Sequence, residues 1–307
     1  MPRILFIGDQ HIYHSSPASR KDDYPSVVFE KIAQISRLCV ELEIDVCVFS
    51  GDMFTAKAIP VTYMIRVIGS FSALRAYAKK TKFYTLVGNH DLYNYDLSTL
   101  ERTPLGLMIY AGVIEQLVGT TDFNGVELIA GSCNEPLIKA TNPENIFFGH
   151  YFYGNQWNDK LCLLDDDIIR LGYKVVCLGH DHALYDDIKH PRGFTVLRPG
   201  SLMRGSSHRY NLEREVFVQL VEFTDRFTFQ KIKLDTKPAE EVFYDKAIQK
   251  TDRVAKETIL SFVEALKETA KVETNSAYKI LDGLGLEPIL FEYIATKFQE
   301  HGIYREN

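Results

Sequence analysis

Apolar residues along this chain fall into short blocks that end abruptly at a small or polar residue. The blocks lie at 4–7, 46–49, 83–87, 127–130, 146–148, 174–178 and 195–197, and they are rich in β-branched and aromatic side chains. Each is bounded by Gly or Ser, and each predicts a strand. Between the early blocks the spacing turns helical. Residues 26–42 carry apolar side chains at 28, 32, 35, 38, 39 and 42, the stripe of an amphipathic helix, and 61–79 repeats it more loosely. Residues 215–223 and 226–234 read as an antiparallel hairpin around Thr224-Asp225. Strands alternating with helices, then mainly strands to about residue 234, predict an α/β architecture whose sheets are covered by helices.

A break follows at Asp235-Thr236-Lys237-Pro238, and the texture changes. Residues 245–271 place apolar side chains at 248, 255, 259, 262, 263, 266 and 270, which predicts a helix. Asn275-Ser276 is placed to cap a second one ending near Gly283, and Glu287-Pro288 to open a third. The expected division is a domain over residues 1–238 and a helical tail over 239–307. No run approaches the roughly 18 apolar residues of a bilayer span. The opening nine residues read as a strand rather than a secretion signal. A cytoplasmic protein, with no membrane association, is the expectation.

Five of the predicted strands end in one grammar: an apolar run, a glycine, then side chains able to bind metal. They are Gly8-Asp9-Gln10-His11, Gly51-Asp52, Gly88-Asn89-His90-Asp91, Gly149-His150 and Gly179-His180-Asp181-His182. In sheets with parallel strands, ligands gather beyond the carboxyl ends of the strands, so residues distant in sequence converge there. Five of the nine histidines stand in these motifs; His14, His190, His208 and His301 do not. Carboxylate, amide oxygen and imidazole together suit Mn²⁺, Fe²⁺ or Zn²⁺. The five cysteines include no C-x-x-C pair, which argues against a thiolate zinc site and fits buried thiols in a reducing compartment. The net charge of −6 argues against indiscriminate binding of nucleic acid by the whole surface.

The order D-x-H, G-D, G-N-H-D, G-H and G-H-x-H resembles the calcineurin-like metallophosphoesterases over residues 1–235. That resemblance implies an α/β fold built on a β-sandwich flanked by helices, with a dinuclear metal site. By motif position, Asp9, His11 and His182 would hold one ion, and Asn89, His150 and His180 the other. Asp52 would bridge them. Mn²⁺ is the expected pair, with Fe²⁺, Zn²⁺ or Mg²⁺ as alternatives. Such a pair activates water and neutralises charge on phosphate oxygens. His90 would face the scissile phosphate, stabilising its charge or protonating the leaving alkoxide, with Asp91 orienting His90.

Within that family, Leu197-Arg198-Pro199-Gly200-Ser201-Leu202-Met203-Arg204 and Gly51-Asp52-Met53-Phe54 resemble segments of the SbcD-type nuclease subunits of the double-strand-break repair complex. The resemblance implies a DNA exo/endonuclease of recombination or repair, in a bacterial or phage-infected cell. It implies a homodimer within a hetero-complex, with an SbcC-type SMC-like ABC ATPase bound through the C-terminal helices. Thr55 stands where that group commonly has His or Asp. Few residues separate the last strand from the tail, as in compact phage-type versions. Arg198, Arg204 and His208, with Arg209 and Arg214 near them and Arg20 and Lys21 after the first motif, are candidates to hold DNA phosphates. The Tyr151-Phe152-Tyr153 run and Trp157 are candidates to stack a base. A nucleotide or small-molecule phosphodiesterase or phosphatase of the same fold is the enzymatic alternative. A partner-binding scaffold on that fold is the second alternative.

Overall fold

Strands and helices alternate from the start: β1 (Arg3–Ile7), α1 (Tyr24–Glu41), β2 (Val46–Phe49), α2 (Val61–Tyr77), β3 (Lys82–Thr85), α3 (Pro104–Tyr110) and β4 (Glu115–Gln116). A second series follows: β5 (Thr120–Phe123), β6 (Val126–Gly131), β7 (Asn145–His150), β8 (Phe152–Tyr153), β9 (Cys162–Leu163), α4 (Asp165–Leu171), β10 (Val175–Gly179), β11 (Ile188–Lys189) and β12 (Thr195–Leu197). Then come α5 (Arg209–Glu213), β13 (Val216–Phe223), β14 (Phe227–Leu234) and α6 (Ala239–Val242). This computed structural model describes residues 2–154 and 161–249.

The strands form two six-stranded sheets, ordered β14-β13-β1-β2-β3-β4 and β11-β12-β10-β7-β6-β5. In the first, β1 to β4 run parallel and the β13–β14 hairpin closes one side antiparallel. In the second, β12, β10, β7 and β6 are parallel, with antiparallel β11 and β5 at the edges. The predicted hairpin thus forms in the expected place.

Each central strand is apolar on both faces because both faces are covered. Ile4, Phe6, Val46, Val48, Ile146, Phe148, Val175 and Cys177 fill the space between the sheets, where the rings of Phe6 and Phe148 lie 5.8 Å apart. Leu5, Ile7, Cys47 and Phe49 face the other way, packing with Val28, Ile32 and Ile35 of α1 and Val67 and Phe71 of α2. Helix α1 starts two residues before the apolar stripe, because Pro25 fits a first turn and Asp23 accepts from the Ser26 amide at 3.4 Å.

The segment after β12 is fastened by buried arginines. Arg214 donates to Asn211 Oδ1, Ser201 O, Ser201 Oγ and Met203 O at 2.7–3.0 Å. Arg204 donates to the carbonyls of Asn211 and Lys237. Arg20 clasps Asp22 and donates to Arg204 O. Arg214→Met removes the donor to four buried acceptors at once. It is expected to cost about 3 kcal/mol, read as a lower urea midpoint at unchanged slope.

α6 and Phe243 return to the loop before α1: Lys21 N donates to Val242 O and Tyr244 N to Ser19 O. The chain divides into two compact units, Met1–Tyr244 and Asp245–Asn307. The predicted tail helices beyond residue 249, and Trp157, lie outside the described residues. No helix among the described residues is long and apolar enough to cross a membrane.

Candidate metal centre

The carboxyl ends of β1, β2, β3, β7 and β10 bring the predicted ligands to one edge of the sandwich. Asp9, His11, Asp52 and His182 present donor atoms that all lie within 4.8 Å of one another, and so do Asp52, His150 and His180. Asp52 belongs to both groups. Its Oδ2 lies 3.9 Å from His11 Nε2, and its Oδ1 lies 3.4 Å from His150 Nε2. Asn89 joins the second group, its Oδ1 2.9 Å from His150 Nε2.

The backbone turns sharply to achieve this. His11, Asp52 and His180 sit at φ of 46°, 48° and 81°, a region that side chains other than glycine seldom occupy and that is tolerated mainly at functional sites. Gly88 lets the loop after β3 close on Asp52: a Cβ there would lie 2.2 Å from Asp52 Oδ1 and 2.3 Å from its amide nitrogen. The His90 amide then donates to Asp52 Oδ1 at 2.7 Å. Asp9 is held in the same manner by Ser50 Oγ at 2.6 Å and the His180 amide at 3.0 Å.

Donor chemistry decides what the cluster can bind. His150 Nδ1 lies 2.9 Å from Ser50 O, and a carbonyl only accepts, so Nδ1 carries the hydrogen. Nε2 then directs a lone pair at the carbonyl oxygen of Asn89. His11 Nε2 and His182 Nε2 likewise face each other at 2.8 Å. Imidazole nitrogens converging on one region, beside two carboxylates each 1 % exposed, make a cation site. The donor set, nitrogen and oxygen with no thiolate, fits two divalent ions sharing Asp52.

Electrostatics agree. Burial raises the Asp52 carboxyl well above the usual carboxylate range, and the charge of Asp9 adds to this. Burial also works to raise Asp9, but the hydrogen bond from His182 and the charges of His150, His182 and His11 outweigh it and hold Asp9 low. Burial and the neighbouring His182 lower His11. Burial opposes charge on His182 too, yet Asp9 raises it.

A family model for calcineurin-like phosphoesterases matches residues 2–184, a span that contains all seven ligand positions. The chain belongs to that family. Among solved structures, a dimetal phosphatase from Danio rerio aligns at a TM-score of 0.50 and 10% identity, covering 75% of this chain and 95% of that one. The calcineurin-like phosphoesterase YfkN from Bacillus subtilis gives 0.43 at 15%, covering 86% and 98%. A purple acid phosphatase from yellow lupin gives 0.46 at 14%, covering 75% and 51%. At 10% identity, the likeness to the Danio rerio phosphatase is one of fold alone. No curated protein matches the chain.

In this calcineurin-like phosphoesterase, His90 stands beside the ligands without joining either group. Its ring meets that of His11 edge-on, with centroids 5.2 Å apart, and hydrogen-bonds the Thr55 backbone. Asp91 departs from the expected role. Its carboxylate accepts the backbone amides of Gly88, Phe54 and Met53 at 3.0–3.4 Å, so it ties the loop after β2 to the loop after β3 instead of gripping the His90 ring. The G-N-H-D turn curls back on itself, which carries Asp91 under the site. Burial and the charge of Asp52 push its carboxyl up to about 7. Asp91→Ala leaves three amides without that acceptor and is expected to cost about 3 kcal/mol, measured by denaturant unfolding of the metal-loaded protein.

The expected phosphate contacts divide. Arg204 is buried at 5 % exposure and spends its donors on carbonyls, as Arg214 does, so both hold the fold. Arg198 is buried with its guanidinium 3.8 Å from the Tyr185 ring centroid. His208 is exposed at the start of α5, stacked on Tyr210. Phe152 packs on the His180 ring at 4.2 Å, so this aromatic walls the site. Sequence reasoning missed Ser50, whose position just before Gly51-Asp52 is its only signal. It also missed Lys57, a half-buried cation that acts on both Asp52 and His90. Nothing in the spacing of Lys57 marks it.

Proposed function

We propose that this phosphoesterase is a DNA exo/endonuclease, hydrolysing phosphodiester bonds with two divalent ions, Mn²⁺ foremost, in recombination or repair. The observation that carries the reaction class is Asp52 turning one oxygen to each ligand group. Asp9, His11 and His182 would hold one ion and Asn89, His150 and His180 the other. When bound, the pair supplies a water of lowered pKa and neutralises charge on the phosphoryl oxygens.

The chain's own residues do the rest. Ser50, the His180 amide and the His90 amide fix the carboxylates before substrate arrives, so little reorganisation remains at the moment of reaction. Burial lowers His90, which is therefore neutral near pH 7. An arriving phosphate favours protonation there, which makes His90 a donor to a phosphate oxygen or to the leaving alkoxide. His90→Asn is expected to lower kcat about 10²- to 10³-fold while both metals stay bound, which elemental analysis alongside kinetics checks.

DNA as substrate is supported by the likeness of Gly51-Asp52-Met53-Phe54 and of the segment 197–204 to SbcD-type subunits. On the same ground the tail would engage an SbcC-type ABC ATPase, and the chain would act as a homodimer in that complex. A second reading, a nucleotide or small-molecule phosphodiesterase or phosphatase, is favoured by Arg204 and Arg214 being buried and bound to carbonyls and neutral side chains of the segment that follows the last ligand motif. The test is Mn²⁺-stimulated cleavage of linear single- and double-stranded DNA by the full-length protein, beside a chromogenic phosphodiester. Cleavage of DNA supports the nuclease. Turnover of the chromogenic ester with DNA left intact points to the second reading.

A further inference from the structure

A cavity of about 560 Å³ opens beside α1, and none of its lining residues is one of the seven ligands. Its inner wall carries Arg20, Lys31 and Arg204, each 4–5 % exposed, with Arg37 and Lys237 exposed at the rim. Behind the wall lies Arg214, 8 % exposed.

These charges are poorly balanced. Asp22 is engaged bidentately by Arg20. Lys31 donates to the Asp235 carbonyl, and Arg204 and Arg214 bind carbonyls and neutral side chains. Among the described residues, no carboxylate forms an ion pair with Lys31, Arg204 or Arg214. Carbonyl oxygens solvate a cation without neutralising it, and a buried charge lacking a counter-ion is costly. The strain is visible at Lys31, which burial, with Arg204 and Arg214 beside it, pushes down to about 8. It still carries its charge at neutral pH. An ammonium has three donors, and Lys31 has one recorded partner. Of the acidic side chains at the cavity, Asp22 is taken by Arg20, and Glu30, Asp235 and Glu241 are exposed at its edge, with Asp235 offsetting part of the charge of Lys31, so the inner end is the positive one.

We propose that this cavity is a second binding site, taking a phosphate group of a ligand about the size of a nucleotide, with the phosphate against Lys31, Arg20 and Arg204. The volume lies within the usual range for small-molecule sites and far exceeds one phosphate ion. The same chemistry is offered by a free mononucleotide and by the phosphorylated end of a polynucleotide strand. The site does not depend on the reaction proposed for the metal centre.

The experiment uses full-length protein carrying Asp52→Asn, which takes the metal centre out of the readout. Calorimetric titrations use a 5′-mononucleotide and a short oligonucleotide with and without a 5′-phosphate. Lys31→Met is expected to weaken phosphate-dependent binding at least tenfold. Where Lys31→Met fails to fold, the exposed pair Arg37→Ala and Lys237→Ala decides, with an expected three- to tenfold loss at unchanged melting temperature. Binding of the mononucleotide identifies a free nucleotide as the ligand. Binding only of the 5′-phosphorylated oligonucleotide identifies a strand end. No phosphate-dependent binding, or binding indifferent to both sets of substitutions, overturns the proposal.

Discussion

Asp52→Asn is expected to lower phosphodiester hydrolysis at least ~10³-fold, which is about 4 kcal/mol of lost transition-state stabilisation, while leaving the metal-free fold intact. The substitution is isosteric. An asparagine Oδ1 can still accept the His90 amide that now meets Asp52 at 2.7 Å. What disappears is one negative charge, that of the carboxylate shared by the two ligand groups. Both ions lose a ligand together, so elemental analysis should find fewer than two per chain. The chelated protein should behave in the opposite way. Asp52 is buried, and its carboxyl is raised by that burial and by Asp9. Neutral asparagine relieves both effects, so the chelated variant should melt at the same temperature as wild type or above it. A structural carboxylate would give the reverse pairing, with activity kept and stability lost. Wild-type rates in a variant free of contaminating nuclease would remove Asp52 from the reaction.

Much of this centre is legible before any fold is known, and the reason is geometric. A parallel strand that stops at glycine and then offers Asp, Asn or His can only deliver that side chain to the sheet edge. Five such ends, at Asp9, Asp52, Asn89, His150 and His180, therefore meet. Strands and the longer helices are legible for a related reason, since each buries an uninterrupted apolar face. The alternation between the layer shared by the sheets and the layer under the helices is not legible, because β1, β2, β7 and β10 are apolar on both sides. Nor is the destiny of the arginines. In sequence, Arg198, Arg204 and Arg214 are basic residues beside a catalytic motif. In the fold, Arg204 and Arg214 meet carbonyls and side chains of the segment around Ser201, Met203 and Asn211. The role of Asp91 fails to show for the same reason: adjacency to His90 in sequence says nothing about a turn that sends consecutive side chains in different directions.

Removing the metals should cost more stability than any single substitution above. A single ion held about a thousandfold above its dissociation constant contributes roughly 4 kcal/mol, the least that chelation of such a centre would remove. For a unit of this size that corresponds to a fall in melting temperature of roughly 10 °C on chelation. The sign of the pH dependence follows from the shifts at the site. Asp52 and Asp91 are acids whose folded values are raised, Asp91 to about 7. Across about pH 4 to 7 the unfolded chain holds fewer protons at these positions than the chelated native state, so the stability of the chelated protein falls as pH rises. His182, raised by Asp9, adds the same sign. His11 and His90, both lowered by burial, act oppositely and weaken the fold as pH drops below about 6.5. Metal ligands must be deprotonated to bind, so loading reverses the carboxyl contribution and gains strength as pH rises. Melting curves taken with Mn²⁺ and with chelator should therefore diverge between pH 5 and 8. A constant gap across that range would mean that the ions displace no protons from Asp52 or its neighbours, and that they bind somewhere other than between these side chains.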